Sequence, residues 1–207
     1  MNNIEIILAS KSARRIEILT HLGLNPTVMV SDADENVTEP LTPEALTEEL
    51  SLRKAGAVLD KIGKNQLVIA SDTVVASMNG AIFGKPRDKE DAYRMLSELS
   101  GTTHRVVSGI ALSLNGKTAV SHDVTYVKFK PLTEREILSY ISTAEPYDKA
   151  GGYGIQDRAS VFVEKIDGDF YNVVGLPVYK MFDLMKKEFN LDFFDLSGTP
   201  DSGSGYT

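Results

Sequence analysis

The chain has 207 residues, of which 42% are hydrophobic, carries a net charge of −7 and contains no cysteine. The negative charge argues against broad binding to nucleic acid or to a membrane surface, because both require a basic face. The lack of cysteine excludes disulfides, thiolate metal sites and a cysteine nucleophile. No apolar run is long enough to span a bilayer, so we expect a soluble protein that is not exported.

The first half of the chain has the pattern of alternating strands and helices. A buried strand over residues 6–9 leads through a polar turn into an amphipathic helix. Thr42 and Pro43 mark the start of a second helix. Residues 66–78 form a buried strand run, and Asn79-Gly80 is a hairpin turn that predicts a returning strand over 81–83. A short strand is also expected over residues 27–30.

Hairpins interrupt this alternation in the second half, which favours a mixed α/β sheet. Asp88 caps a helix, Thr133 and Glu136 form a capping box for another, and Pro177 starts the last one. The predicted strands cover residues 103–114 and 118–130, with a final hairpin of 160–166 and 169–174. Residues 1–196 are expected to form a single domain, and 197–207 to be a disordered tail.

The turn after the first strand has the composition of an anion site. It runs Ser-Lys-Ser-Ala-Arg-Arg from Ser10 to Arg15, at the predicted start of a helix. Unpaired N–H groups and the positive end of the helix dipole lie there. Serine hydroxyls add donors, and an arginine can bind two phosphate oxygens at once. The alternative is a serine N-cap followed by solvated arginines, and the turn alone does not decide between the two.

Asp72 is the one charged residue in the buried strand run of residues 66–78. A carboxylate there is either buried and paired or directed into a cleft. Active sites of α/β proteins favour the carboxyl ends of strands. The alternative, an aspartate that caps a turn, is disfavoured because Val74 and Val75 continue the strand. Asp72 is therefore the first candidate for a catalytic residue.

Four further candidates are ambiguous by themselves. Lys85 precedes Pro86, which favours an extended backbone at the lysine, and Lys54 lies on the second predicted helix; for both the alternative is a solvated lysine. Glu35, in an acidic loop, could hold Mg²⁺ together with the strand aspartate, or be solvated. A glycine-rich segment leads to Gln156, whose amide has donor and acceptor edges suited to reading a base, although an ordinary surface loop has the same composition.

In combination, these segments resemble the Maf family of nucleotide pyrophosphatases. The opening turn matches the family motif S-x-S-P-R-R, and the matches continue in order to the last helix, leaving out only the tail. The further matching segments are Asp34-Glu35, 52–55 (LRKA), 71–75 (SDTVV), 84–86 (GKP), 99–109 (LSGTTHRVVSG), 145–156 (EPYDKAGGYGIQ) and 172–177 (NVVGLP). Each segment is short, but their joint occurrence in this order is specific.

The resemblance implies an elongated mixed sheet flanked by helices, with a central cleft between two lobes. It implies Mg²⁺-dependent hydrolysis of a nucleoside triphosphate between its α and β phosphates, by a cytoplasmic, often homodimeric protein that clears surplus or non-standard nucleotides. Asp72 matches the catalytic acid/base, and whether it acts as the base or as a metal ligand stays open. Glu35 matches an acidic residue of the metal site. The implied phosphate-binding residues are Ser10, Arg14, Lys54 and Lys85, with Arg15 beside them in the same turn.

Three positions that separate branches of the family predict which base is accepted. Arg14, Thr73 and Gln156 mark the branch that acts on dTTP and UTP, whereas the 7-methyl-GTP branch typically has Trp, Gln and Glu there. Two residues depart from the family pattern: Ala13 replaces a proline, and Asp157 stands where glycine is usual. The alternatives are the same reaction on another base, such as 7-methyl-GTP, or a non-catalytic nucleotide-sensing regulator of cell division.

Overall fold

The computed structural model describes residues 4–196, in which seven strands form one mixed sheet. The strands are β1 (Glu5–Leu8), β2 (Thr27–Val28), β3 (Gln66–Ala76), β4 (Ile82–Phe83), β5 (Thr103–Leu114), β6 (Lys117–Phe129) and β7 (Val163–Asp167). Their order is β2-β1-β3-β5-β6-β7, with β4 paired to the end of β3. β1, β2 and β3 run parallel, and the remaining pairs are antiparallel.

Helices flank this sheet, so the predicted fold class is confirmed. They are α1 (Ala13–His21), α2 (Pro43–Leu59), α3 (Lys89–Leu99), α4 (Glu134–Ile141), α5 (Phe170–Val174), α6 (Val178–Phe189) and α7 (Phe193–Leu196), with short 3₁₀ segments at Glu145–Asp148, Ala150–Gly152 and Arg158–Phe162. The predicted helix starts are confirmed, except that the helix after Pro177 is not the last one, since the short α7 follows it. Thr42 caps α2, Asp88 caps α3, and Thr133 with Glu136 forms the capping box of α4.

The predicted last hairpin is wrong: its first strand begins at Val163 and not at residue 160, because Arg158–Phe162 forms a 3₁₀ segment, and its second half is helical. Residues 170–174 form α5 instead of a strand, because Asp169 accepts a hydrogen bond from the Tyr171 N–H at 2.8 Å and so caps a helix. Asn172 then lies buried, with its Nδ2 donating to the Val106 carbonyl at 3.0 Å and to Thr125 Oγ1 at 2.9 Å. The cap and these side-chain bonds outweigh the strand preference of the valines in this segment.

The apolar core is divided along the length of β3. Near its start, Leu67 and Ile69 pack with α1 and α6 on one face of the sheet, while Val68 and Ala70 pack with α2 on the other. Near its end, Val75 packs with α3 and α4 in a separate core. The middle of β3, where Asp72 lies, therefore falls between two lobes.

The middle of β3 is also open along one edge. β5 pairs with one side of β3 from Val68 to Ala76. On the other side, β1 pairs with β3 as far as Ile69, and the pairing of β3 with β4 begins only at Val75. Within residues 4–196 no strand pairs with the stretch between them, so other elements can approach β3 there.

Residues 197–207, for which the sequence predicts disorder, lie outside the described residues. The single domain over residues 1–196 stays a prediction. In the described part of the chain, no helix has both the length and the apolar character needed to cross a membrane.

Candidate active site

Asp72 lies on the open stretch of β3, and α2 brings a lysine to it. Its partner on β5 is Gly109, where a Cβ atom would lie 2.1 Å from the Thr47 carbonyl oxygen of α2. The glycine therefore lets α2 pack directly on the sheet. About two turns further along α2, the Lys54 Nζ lies 2.5 Å from Asp72 Oδ1. These side chains are 12% and 13% exposed, so the carboxylate is buried and paired with a cation, one of the arrangements expected from the sequence.

Lys54 also lies 3.1 Å from Glu35 Oε1, so its ammonium sits between two carboxylates. These two carboxylates can be compared with the ligands that a divalent cation requires. Two carboxylates completed by substrate phosphate oxygens and water are a usual donor set for Mg²⁺. Within residues 4–196 no group of three or more histidine, aspartate or glutamate side chains is placed to hold a metal. Asp72 and Glu35 would therefore hold the cation together with the substrate.

The start of α1 lies beside this carboxylate pair. Ser12 occupies the N-cap position, but its side chain makes no capping hydrogen bond. Instead, Ser10 Oγ accepts a hydrogen bond from the Ser12 N–H at 3.1 Å. The N–H groups of the first helical turn have no intrahelical partners, and Ala13 and Arg14 line the cleft. The helix start is thus open to an anion, and the serine-cap alternative is not what the structure has.

The two adjacent arginines have different surroundings. Arg15 donates from Nε to the Gly175 carbonyl at 2.8 Å, from Nη1 to Ser10 Oγ at 3.2 Å and from Nη2 to Thr73 Oγ1 at 3.4 Å. Its fork is therefore occupied by protein oxygens. Arg14 is one-third exposed, and its one ion pair within residues 4–196 joins Nη1 to Asp148 Oδ2 at 3.3 Å. Arg14 is the more available of the two for a phosphate.

Thr73 connects β3 to the loop that follows α5. Its Oγ1 lies 2.7 Å from Ser108 Oγ on β5 and 3.3 Å from the Gly175 carbonyl. Ser71 Oγ donates to the same carbonyl at 3.2 Å. The residue expected to mark base choice thus belongs to a network that fixes the 172–176 segment against the sheet, and it also lines the cleft.

The glycine-rich loop closes the other side of the cleft. Gly151 has φ +67°, and a Cβ atom there would lie 2.9 Å from the Val75 side chain. Its N–H donates to the Gly84 carbonyl at 3.0 Å, which ties the loop to the segment that carries Lys85. Gln156 is exposed at the end of the loop and lines the cleft. The described residues give its amide no hydrogen-bond partner, so the amide is free to bind a ligand.

Lys149 is a site residue that the sequence analysis did not single out. It is 8% exposed and lines the cleft. Its Nζ lies 2.7 Å from Asp148 Oδ1, 2.9 Å from the Glu145 carbonyl and 3.4 Å from Asp157 Oδ2. Burial alone would raise the pKa of Asp148, but the hydrogen bond and charge of Lys149, with Arg14 nearby, leave that pKa lower than usual. The sequence offered one indication of its role, namely that Lys149 lies inside the segment 145–156 that matches the family pattern.

His104 is a second residue that was not singled out. Its side chain is fully buried, and its Nε2 lies 2.8 Å from the hydroxyl of Tyr153, which lines the cleft. The ring also packs edge-on against Phe129, with centroids 4.9 Å apart. Burial lowers the pKa of His104 to about 4, so the ring is neutral at physiological pH. His104 therefore supports the glycine-rich loop from the core.

The departures at positions 13 and 157 are accommodated without strain. Ala13 is the first residue of α1, where proline is favoured but not required. Asp157 has φ −103°, a conformation open to any residue, so glycine is not needed there. Its carboxylate instead adds a charge beside Gln156.

All the candidate site residues line one cleft of about 760 Å³, a size usual for small-molecule ligands. They are Ser10, Arg14, Arg15, Glu35, Lys54, Asp72, Thr73, Lys85 and Gln156. Segments far apart in the sequence thus bring the Asp72 and Glu35 carboxylates together with several cations.

Comparison with known proteins places the chain in a family. Residues 5–188 match the family described as Maf-like protein. The dTTP/UTP pyrophosphatase of Thermosipho africanus (strain TCF52B) is 49% identical over 181 residues, 87% of this chain and 92% of the relative. The dTTP/UTP pyrophosphatase of Alkaliphilus metalliredigens (strain QYMF) is 47% identical over 189 residues, 90% of this chain and 97% of the relative. The solved structure of the Staphylococcus aureus Ham1 protein aligns with 60% of this chain and 71% of its own, at 18% identity and a TM-score of 0.44.

Proposed function

The chain belongs to the Maf-like protein family, and we propose that it hydrolyses dTTP and UTP to the nucleoside monophosphate and pyrophosphate. The observation that carries the proposal is the buried Asp72 carboxylate in a cleft that Arg14, Lys54 and Lys85 also line. This combination suits the binding of a triphosphate next to a proton acceptor. The choice of base and the type of reaction in this proposal are taken from the names of the similar relatives, which are dTTP/UTP pyrophosphatases.

Asp72 is the proposed general base. Its carboxylate takes a proton from a water molecule as the water oxygen forms a bond to the α phosphorus. The bond from the α phosphorus to the bridging oxygen breaks, and pyrophosphate leaves with the electron pair. A positioned base raises the rate by roughly a hundred- to ten-thousand-fold. The remaining rate enhancement must come from the charges of the cleft.

The cations stabilise the charge that builds up on the leaving pyrophosphate. Arg14 and the start of α1 bind phosphate oxygens through side chain and backbone. Lys85 comes from the opposite side, on the segment tied to the glycine-rich loop. Lys54 lies between Asp72 and Glu35, so its ammonium can shift toward the negative charge of a phosphate that enters the cleft.

A magnesium ion is part of the proposal. Asp72 and Glu35 would hold it with phosphate oxygens of the substrate. When bound, Mg²⁺ supplies neutralisation of phosphate charge. Because both carboxylates now share the Lys54 ammonium, we expect that lysine to move toward the phosphates when the cation binds.

Base choice is assigned to Gln156, whose free amide can pair with the O4 and N3–H of uracil or thymine. Cytosine presents the reverse pattern at both atoms. We further propose a cytoplasmic homodimer that removes surplus or non-standard pyrimidine nucleotides, as the family resemblance implies.

Pyrophosphate release from dTTP, UTP, CTP and 7-methyl-GTP, each with and without Mg²⁺, tests the proposal. We expect Mg²⁺-dependent turnover with UTP and dTTP preferred. A preference for 7-methyl-GTP would overturn the base assignment, and a lack of turnover on every nucleotide would favour the regulator alternative. The Asp72→Asn protein, purified in parallel, controls for contaminating phosphatases.

A further inference from the structure

Four charged side chains of alternating sign run along one wall of the cleft. Arg14 pairs with Asp148 at 3.3 Å, Asp148 with Lys149 at 2.7 Å, and Lys149 with Asp157 at 3.4 Å. We refer to these four residues as the charge chain. It begins at the arginine that faces the phosphates and ends next to Gln156, the residue assigned to the base.

Lys149 is the buried link of the charge chain. Its side chain is 10% exposed, whereas those of Asp148 and Asp157 are 66% and 41% exposed. The backbone of Gly154 packs on both ends of the Lys149–Asp157 pair, because a Cβ atom there would lie 2.5 Å from Asp157 Oδ2 and 2.6 Å from Lys149 Cε. Lys149 therefore sets the path of the backbone just before Gln156.

We propose that Lys149 is a positioning residue. It determines base preference by holding Gln156 at a fixed position relative to the phosphate site. This inference rests on the proposed function. Lys149 itself contacts no reacting atom, and it acts through Asp148 toward Arg14 and through Asp157 toward Gln156.

The physical reason lies in what else holds Gln156. Its amide has no hydrogen-bond partner among residues 4–196, so its position relative to the phosphate site depends on the backbone of the loop. The backbone is held by the Asp157 N–H, which donates to the Gly154 carbonyl at 3.2 Å, and by the Lys149–Asp157 pair. Without the ammonium, the carboxylates of Asp148 and Asp157 lose their shared cation and repel each other. The loop then moves, the amide no longer lies where it can pair with both O4 and N3–H of uracil, and the advantage of uracil over cytosine falls.

The experiment measures kcat/KM for UTP and for CTP in the full-length protein with Mg²⁺. Lys149→Met keeps the aliphatic stem against Gly154 and removes the charge. We expect the UTP/CTP ratio to fall by about five- to tenfold, the scale of one neutral hydrogen bond between the Gln156 amide and the base. The matched control is Lys165→Met, a surface lysine of β7 paired with Asp167, which should leave the ratio unchanged.

The ratio does not depend on the fraction of protein that is folded, so a purely structural role of Lys149 would leave it unchanged. An unchanged ratio in Lys149→Met overturns the inference. If that variant does not fold, Asp157→Asn tests the same link from its other end: a lower ratio supports the inference and an unchanged ratio overturns it. A wild-type protein without preference for UTP over CTP would instead contradict the proposed function, which keeps the two failures distinct.

Discussion

Replacing Asp72 by asparagine tests the centre of the mechanism with almost no change in volume. The variant keeps a side-chain oxygen that can accept the hydrogen bond of Lys54, now 2.5 Å away, but it cannot take a proton from water. We expect kcat to fall at least about a hundredfold, the lower end of what a positioned base supplies.

The effect of this change on folding is expected to be modest. The charge-assisted bond between Lys54 and Asp72 is worth about 1.5–3 kcal/mol. Lys54 retains Glu35 at 3.1 Å, so only part of that free energy is lost. For a protein of this size we expect a melting temperature lower by less than about 10 °C.

The assay combines pyrophosphate release from UTP at saturating substrate with a thermal melt of the same sample. A cooperative melt together with a large loss of kcat supports the role of the base. A folded variant with near-normal turnover would show that the proton goes elsewhere and would refute the assignment of Asp72.

Three further predictions follow from the site. Arg14→Ala should raise KM for UTP by about tenfold with a smaller effect on kcat, because a bidentate phosphate contact is lost. Lys85→Ala should instead lower kcat more than it raises KM. Steady-state kinetics in which neither constant changes in either variant would place the anion site elsewhere. Gln156→Glu should weaken the preference for UTP over CTP, because the carboxylate loses the donor for O4; an equal loss of activity on both nucleotides would mean that Gln156 only braces the loop. His104 has its pKa lowered from 6.5 to about 4 by burial, so the unfolded chain binds its proton at higher pH than the folded protein does. Stability should therefore fall by up to about 3 kcal/mol as the pH drops from 6.5 to 4, and His104→Gln should lose less over that range in urea titrations. Equal losses in both proteins would contradict a buried neutral histidine.

Local signals made most of the fold predictable. Side-chain caps such as Thr42 and Asp88 fix helix starts through contacts within four residues, and Asn-Gly turns fix hairpins in the same way. The segment after Gly168 was missed because its helix depends on Asp169 as a cap and on Asn172 reaching Val106 and Thr125 across the sheet. The Asp169 cap is a local contact, but Val106 and Thr125 lie 66 and 47 residues from Asn172, so no local pattern reports these two partners.

The candidate site was predictable where a residue type conflicts with its surroundings, as Asp72 does in an apolar strand. Lys149 gave no such signal, since a lysine next to an aspartate is ordinary in a loop. Only the folded chain shows that its ammonium is buried among Asp148, Asp157 and the Glu145 carbonyl. The same holds for His104, whose partner Tyr153 is 49 residues away.

The two neighbouring arginines show how one short motif can serve two purposes. Successive residues of a helix point in directions about 100° apart, since 3.6 residues make one turn. Arg14 is therefore directed to the glycine-rich loop, where it meets Asp148, while Arg15 is directed to Thr73 and Gly175. The first arginine keeps donors for a phosphate, and the second uses its donors on the protein. Under the proposed function, this division lets an acidic chain bind a polyanion at one helix start, because Arg15 fixes the walls of the cleft and Arg14 meets the charge.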